Sequence, residues 1–406
     1  MKIRSITYFL DTGWPLNESA LARAGAFLHA ARPAFEAAGY AVQTARLATL
    51  PFPLILSQPE PDELCRMAQS LESAAAQLGF DYVSLGPALP LDLGAYTAIP
   101  AALAATRNAF FSGLMTTPGS EVSLPAVRQC AQVIHQAAGI EPGGFANLRF
   151  AALAKVPPGS PFFPAAYHIG VSPSFALATE AADLAVQAFS SARGLEAARI
   201  ALAAVMESHG QALTEVAERL ADRFNTPFGG IDFSLAPFPS EALSLGKALE
   251  CLGVPALGGH GSLAAAAILA DTMDRAQFPR AGFSGLMLPV LEDATLAQRA
   301  ADGSLTVTDL LLYSAVCGTG LDTVPLPGEA SPEQLAAVLL DVACLAARLD
   351  KPLTARLMPI PGKQAGDPTG FDFAFFANSH VLALRASPLS GLLSGDELVG
   401  LKRRDA

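Results

Sequence analysis

A chain of 406 residues with 51% apolar content can bury a sizeable core, which excludes an intrinsically disordered protein. Its 26 basic and 37 acidic residues give a net charge of −11, and the only basic cluster, Lys402, Arg403 and Arg404, stands at the extreme end, so nucleic acid is excluded as a partner. Charged residues make up only 16%, against about 25% in an average domain, and a homo-oligomer whose like subunits cover part of the surface is expected.

The first predicted strand covers residues 3–9. Its apolar patch at 6–10 is interrupted by Thr7 and stopped by Asp11, too short for the core of a secretory signal, so a cytoplasmic protein is expected. Asn17 is placed to begin the first helix, and Gly39 ends the segment after it. Further strands are expected at 42–48, 82–85, 110–115 and 148–156. Ser123 with Pro125 opens a helix whose buried face includes Val127, Cys130, Ile134 and Ala137. A helical bridge is expected over about 173–224; it has no Gly/Ser-rich run and so does not read as a loose linker.

Five more strands follow at 230–235, 254–257, 282–288, 321–326 and 353–360. Ser331, Pro332 and Gln334 form a capping box before a helix with Leu335, Val338, Leu339, Val342 and Leu345 on one face. Residues 386–406 are left as a tail. Strands alternating with amphipathic helices are the pattern of parallel βα units. The longest uncharged stretch, 251–270, contains Pro255, four glycines and His260, a poor membrane span. Five cysteines without CxxC spacing support neither a disulfide framework nor a structural zinc site. The phrase FSGLM at 111–115 recurs at 283–287, with Leu-Gly pairs at 85–86 and 257–258 at the same offset, which suggests two related half-barrels at about 1–156 and 228–384.

Five of the later strands run into Gly/Pro-rich loops carrying reactive or charged residues: FGGIDFSLAPFP (228–239), VPALGGHGS (254–262), FSGLMLPVLED (283–293), CGTGLDTVPLPG (317–328) and ARLMPIPGKQAGD (355–367). Side chains at the C-terminal ends of parallel strands sit where α/β proteins bind ligands, so these loops are expected to converge on one site. Glu292 and Asp293 begin a helix; capping accounts for one, and the other is a general base or metal ligand. Asp232, Asp322 and Asp367 stand at three strand ends and either bind a divalent cation or perturb one another's protonation. Arg356, in an otherwise apolar strand, either pairs with one of these carboxylates or receives an anion. Lys363 in its glycine turn is the better anion contact, while the missing GK[ST] sequence speaks against ATP hydrolysis.

The loop at His260 and Gly261 follows a strand and opens a helix, but the acidic residue of a dinucleotide fingerprint is missing at a strand end, so it reads as a generic anion cradle or as a turn with a satisfied histidine. Cys317, beside Gly318 and Gly320, is either a nucleophile or a packing cysteine; a helix C-terminus raises its pKa and disfavours the thiolate. His168 closes PFFPAAYH (161–168), a lid or wall of the site, as an acid/base group or ligand.

These phrases, with DTGWPLNE (11–18), resemble the family called domain of unknown function 711 (UPF0210) over nearly the whole chain. The resemblance implies a single domain, a ten-stranded α/β barrel similar to the pyruvate formate-lyase-like glycyl-radical fold but lacking a C-terminal radical loop. It also implies a small ACT-domain partner, and its recurring polar positions are Asp232, Ser234, His260, Glu292, Asp293, Cys317, Asp322, Arg356, Lys363 and Asp367. The expectation is a small anionic metabolite held by Lys363 and the amides of Gly261, Gly318 and Gly320. Glu292, Asp293 or Asp322 would supply acid/base chemistry, with a divalent metal as an optional cofactor. The alternative is a non-catalytic metabolite sensor read by the ACT-domain protein.

Overall fold

Short runs rich in apolar and β-branched residues become strands where long helices cover them. A computed structural model describes residues 1–57, 59–316 and 318–403. Apart from short 3₁₀ turns, the chain opens with β1 (Lys2–Phe9), α1 (Glu18–Ala37), β2 (Val42–Ala48), α2 (Phe52–Ile55), α3 (Pro61–Gln77) and β3 (Tyr82–Ala88). It continues with α4 (Leu93–Ala105), β4 (Ala109–Leu114), β5 (Val122–Ser123), α5 (Leu124–Ala137), β6 (Phe150–Ala154), β7 (Ser174–Glu180), α6 (Ala182–Ser191) and α7 (Leu195–Phe224). The last part holds β8 (Phe228–Ala236), α8 (Leu245–Cys251), α9 (Ser262–Arg275), α10 (Ala294–Ala301), α11 (Val307–Val316), β9 (Gly320–Pro327), α12 (Pro332–Leu349), β10 (Leu353–Ile360) and β11 (Leu398–Val399). The expected helix starts are present: Asn17 accepts from the Ala20 amide at 3.1 Å and Ser123 from that of Ala126 at 3.2 Å. Ser331 and Gln334 cap each other reciprocally.

One mixed, mostly parallel sheet of nine strands forms the centre, in the order β8-β7-β1-β2-β3-β4-β6-β10-β9. β1, β2, β3, β4 and β6 run parallel to one another. β7 meets β1 antiparallel and β10 meets β6 antiparallel, while β8 and β9 run parallel to β7 and β10 respectively. The sheet therefore consists of two strand sets pointing opposite ways. Its helix-covered face carries the main core, where Ile6, Tyr8, Leu47 and Phe111 pack with Phe27, Leu71 and Ile99. The other face holds two smaller clusters around residues 162–166. One gathers Ala151 and Leu153 of β6 with Ala236 of β8; the other joins Phe9, Ala48 and Phe110 with Ala176 of β7.

Residues 280–289 link both outer strands. Parallel bridges join Ile231 of β8 with Arg280 and Asp322 of β9 with Pro289. The Ala281 amide donates to Ile231 O at 3.0 Å and the Val290 amide to Asp322 O at 3.1 Å.

Three expected elements are corrected. The bridge over 173–224 begins with a strand, because SFALATE is buried on both faces and its apolar centre FALA carries no two-residue alternation to separate strand from helix. Residues 254–257 are a turn beyond α8, where Gly258 approaches Ser304 so closely that a Cβ would lie 1.7 Å from its carbonyl oxygen. Residues 282–288 do not form a regular strand, since Gly282 and Ser284 both adopt positive φ. The tail is also anchored: β11 pairs with β5, and Arg128 donates to Gly395 O at 2.8 Å. No helix among the described residues is long and apolar enough to cross a membrane.

Candidate functional site

Three strands lose register where they carry charge. The β1–β7 ladder slips between Ile3 and Ser5, beside Arg4. In the β9–β10 ladder the partners step from Leu321–Ala355 to Val324–Leu357, so Asp322 and Thr323 together oppose Arg356, with Thr323 at φ +41°. β8 slips against β7 between Asp232 and Ala236. A bulge bends its strand and re-aims the side chains beside it. Here the bulges accompany a set of charges gathered with Glu292, which follows the Pro289 bridge.

Glu292 accepts Arg4 Nη2 on Oε2 and Arg356 Nη2 on Oε1, the latter at 2.8 Å. Arg356 Nε donates to Asp322 Oδ1 at 2.6 Å, and its Nη1 donates to Leu148 O at 3.4 Å. Burial pushes the Glu292 carboxyl up, but the guanidinium groups of Arg4 and Arg356 outweigh it and hold the group below its ordinary range. Asp322 goes the other way. Its burial prevails over Arg356, the Glu292 charge adds to it, and the carboxyl stands above its ordinary range. Its Oδ2 is buried without a hydrogen-bond partner among the described residues.

Arg46 of β2 stands apart from these pairs. It is only 8% exposed, yet no carboxylate among the described residues lies within ion-pair distance of it. Its Nε donates to Thr44 Oγ1 at 3.0 Å, and the guanidinium lies over the rings of Phe163 at 5.1 Å and Tyr82 at 5.9 Å. Burial, with Arg4 and Arg356 nearby, pulls its pKa down to about 9 against the opposing pull of Tyr82 and Glu292. Arg4, Arg46, Arg356 and Glu292 line a common cleft of about 760 Å³, counted out to its open mouth. Phe110, Phe162, Phe163, Phe373 and Phe375 supply its apolar walls. The last two come from the loop between Pro368 and His380, which is pinned by the Pro368–His380 bridge and by the Thr369 amide donating to Ser379 O at 2.8 Å.

Asp232 and Ser234 also line the cleft, where they fasten a neighbouring loop. Asp232 Oδ1 accepts Ser234 Oγ at 2.5 Å and the Ser284 amide at 3.0 Å, while Oδ2 accepts the Phe283 amide at 3.0 Å. Burial still raises its pKa despite these bonds.

The remaining expected residues lie elsewhere. Asp293 caps α10, accepting the amides of Thr295, Leu296 and Gly246 and the Ser244 hydroxyl, so its oxygens serve two helix starts rather than a ligand. Asp367 accepts the Gln364 amide at 2.7 Å and closes its own turn. Lys363 is half-buried in the turn after β10, outside the cleft lining. His260 and Gly261 are exposed ahead of α9, and Gly318 and Gly320 lie at the start of β9, where Gly320 allows a close approach to Thr354. None of these four lines the cleft. Cys317 falls outside the described residues.

His168 is buried at the far end of β2, its amide donating to Thr49 O at 2.8 Å. Five residues of strand, about 17 Å, separate Thr49 from Thr44 at the cleft. Burial lowers the His168 pKa against Asp11 and a Gly170 backbone contact, and Nε2 has no partner among the described residues. Its loop still contributes to the cleft, through Phe162 and Phe163.

Sequence reasoning missed Arg4, Arg46 and the ring pair Phe373 and Phe375. Arg46 carried the signal that singled out Arg356, a cation in the largely apolar run VQTARLA, and the dense phenylalanines of FDFAFF (371–376) marked the cleft wall. Among the described residues no three His, Cys, Asp or Glu side chains come together as a metal-ligand set.

Fold and cleft together define an α/β protein built on a large mixed sheet with a buried arginine–carboxylate cluster. The family model described as "Uncharacterised ACR (DUF711)" matches residues 1–378, and the chain belongs to this family. It is similar to a UPF0210 protein of Pyrobaculum aerophilum, 34% identical over 364 residues that cover 84% of this chain and 79% of the relative. A UPF0210 protein of Pyrobaculum islandicum is 32% identical over 83% of this chain and 78% of its own length. Another from Desulforudis audaxviator is 30% identical over 81% and 76%.

Proposed function

We propose that the chain holds a small anionic metabolite in the cleft beside Arg4, Arg46 and Arg356. The observation that carries this reading is Arg46, a buried cation in the cleft wall without a carboxylate partner among the described residues. A guanidinium taken out of water costs several kcal/mol unless a counter-charge meets it, so an anion entering the cleft would relieve that cost. The closed ten-stranded barrel belongs to the same proposal. It is supported by the two bridges of residues 280–289, which would make this segment the tenth strand and the cleft one end of the lumen.

For catalysis, the geometry favours Asp322 and Glu292 on their shared Arg356 over Asp293, which caps a helix. Neighbouring carboxyls whose surroundings push their proton affinities apart are how acid and base roles are divided. A non-catalytic sensor working with an ACT-domain partner is the second reading, favoured because both Glu292 oxygens are already engaged by guanidinium groups. Three arginines around the cleft favour an anion there over an added divalent cation. Native mass spectrometry of protein purified without chelators tests the proposal and also reads self-association. We expect a small anion retained by wild type and lost from Arg46→Gln. Equal retention in both, or none in wild type, would refute it. Conversion of the retained compound on incubation separates enzyme from sensor.

A further inference from the structure

Resting on that reading, we propose that the ligand is a monocarboxylate with a flat apolar body, its two oxygens meeting Arg46 Nη1 and Nη2. Four observations converge on this class. Arg46 Nε is committed to Thr44, and no hydrogen bond among the described residues reaches its two terminal nitrogens, a planar fork on a side chain that lines the cleft. A carboxylate matches that fork with two oxygens.

A phosphate would need further donors, and the neighbouring hydroxyl, amide and terminal guanidinium nitrogens are each already engaged by a protein acceptor. The Thr44 hydroxyl donates to Arg4 O at 2.7 Å, the Gln43 amide to Glu180 at 3.3 Å, and terminal nitrogens of Arg4 and Arg356 to Glu292. A second negative charge is disfavoured by Asp232, a buried carboxyl lining the same cleft. The body of the ligand would lie among Phe110, Phe162, Phe373 and Phe375, whose ring faces and edges accept a flat apolar group.

Calorimetric titration with phenylacetate, phenyl phosphate and 2-phenylethanol tests the class. Phenylacetate should bind wild type at least about tenfold more tightly than either of the others, a difference on the scale of one charge-assisted bidentate contact. Arg46→Gln should lose phenylacetate binding, and Arg46→Lys, which keeps the charge but not the fork, should weaken it by about fivefold or more. Circular dichroism checks that each variant folds, and Arg46→Lys decides the matter if Arg46→Gln does not. Phenyl phosphate binding as tightly as phenylacetate would overturn the carboxylate assignment while leaving the anion reading standing. Phenylacetate binding unchanged in the folded variants would overturn the assignment to Arg46. Wild type that binds neither anion would overturn this inference, while the anion reading beneath it stands or falls on retention in native mass spectrometry.

Discussion

At the residue scale the cluster joins two carboxylates that share one guanidinium, which lowers the proton affinity of both, yet burial leaves them shifted in opposite directions. Glu292 is held below its ordinary range by Arg4 and Arg356, so it contributes stability above an unfolded value of about 4.3 that is lost as pH falls through the lower native value. Asp322, raised by burial, works the other way: its contribution is most favourable below about pH 3.9 and is lost as pH rises through the native value. Glu292→Gln leaves two guanidinium groups short of charge and should cost about 3–5 kcal/mol at neutral pH, with the gap to wild type narrowing as the medium is acidified. Asp322→Asn removes a charge that burial opposes and keeps an acceptor for Arg356, so it should cost no more than about 1.5 kcal/mol. Urea denaturation at pH 7 and pH 4 measures both, and equal losses at pH 7 would contradict this division of roles. Arg356 was legible as a candidate because charge in an apolar strand is conspicuous, and Glu292 because it stands at a helix start after a Gly/Pro-rich loop. Arg46 carries the same signal in β2, away from the Gly/Pro-rich loops of the later strands. Asp293 shows the limit of that signal, because a buried carboxylate beside a helix start looks alike whether it caps or reacts.

Elements were most legible where a local rule decides them. Asn17, Ser123 and Ser331 each satisfy helix amides within three residues, so the sequence alone exposes them. β7 and residues 282–288 were misread because their conformation depends on partners far along the chain. Residues 282–288 are held to β8 by Ser284 and Gly285 contacts and by Asp232, which accepts the Phe283 and Ser284 amides; the latter needs Gly282 at φ +59° with no side chain. A Cβ there would lie 2.2 Å from Asp232 Oδ2. Gly303 also has positive φ, 79°, but a Cβ there meets nothing within 4 Å. Gly303→Ala should therefore cost only the left-handed penalty of about 1–2 kcal/mol, whereas Gly282→Ala should cost more than this and also weaken ligand binding. Thermal melts with and without the retained anion compare them, and equal losses with unchanged binding would show that the loop is not held through Asp232.

For the whole molecule, the two strand sets point in opposite directions, which decides where chemistry can gather. The cleft takes residues from the starts of β2, β3 and β4 and from β8 and β10, so it draws on both sets at once. The cleft thus meets the first set near its strand starts and the second set at the middle and later parts of its strands, which is why a search of C-terminal strand ends passes over Arg4 and Arg46, near the starts of β1 and β2. Drawing both sets around one cleft requires the sheet to curve strongly, and closure through residues 280–289 would lock that curvature. Hydrogen exchange distinguishes a locked barrel from an open sheet. If the barrel is closed, the amides of Ala281, Val290 and Thr319, which bond to Ile231, Asp322 and Leu286, should exchange together with the strand amides of β8 and β9. Exchange there about a hundredfold faster than in those strands would mean that residues 280–289 open independently. The cleft would then be bounded by two free sheet edges, and the positions of Glu292 and Asp232 would depend on a segment that leaves the sheet.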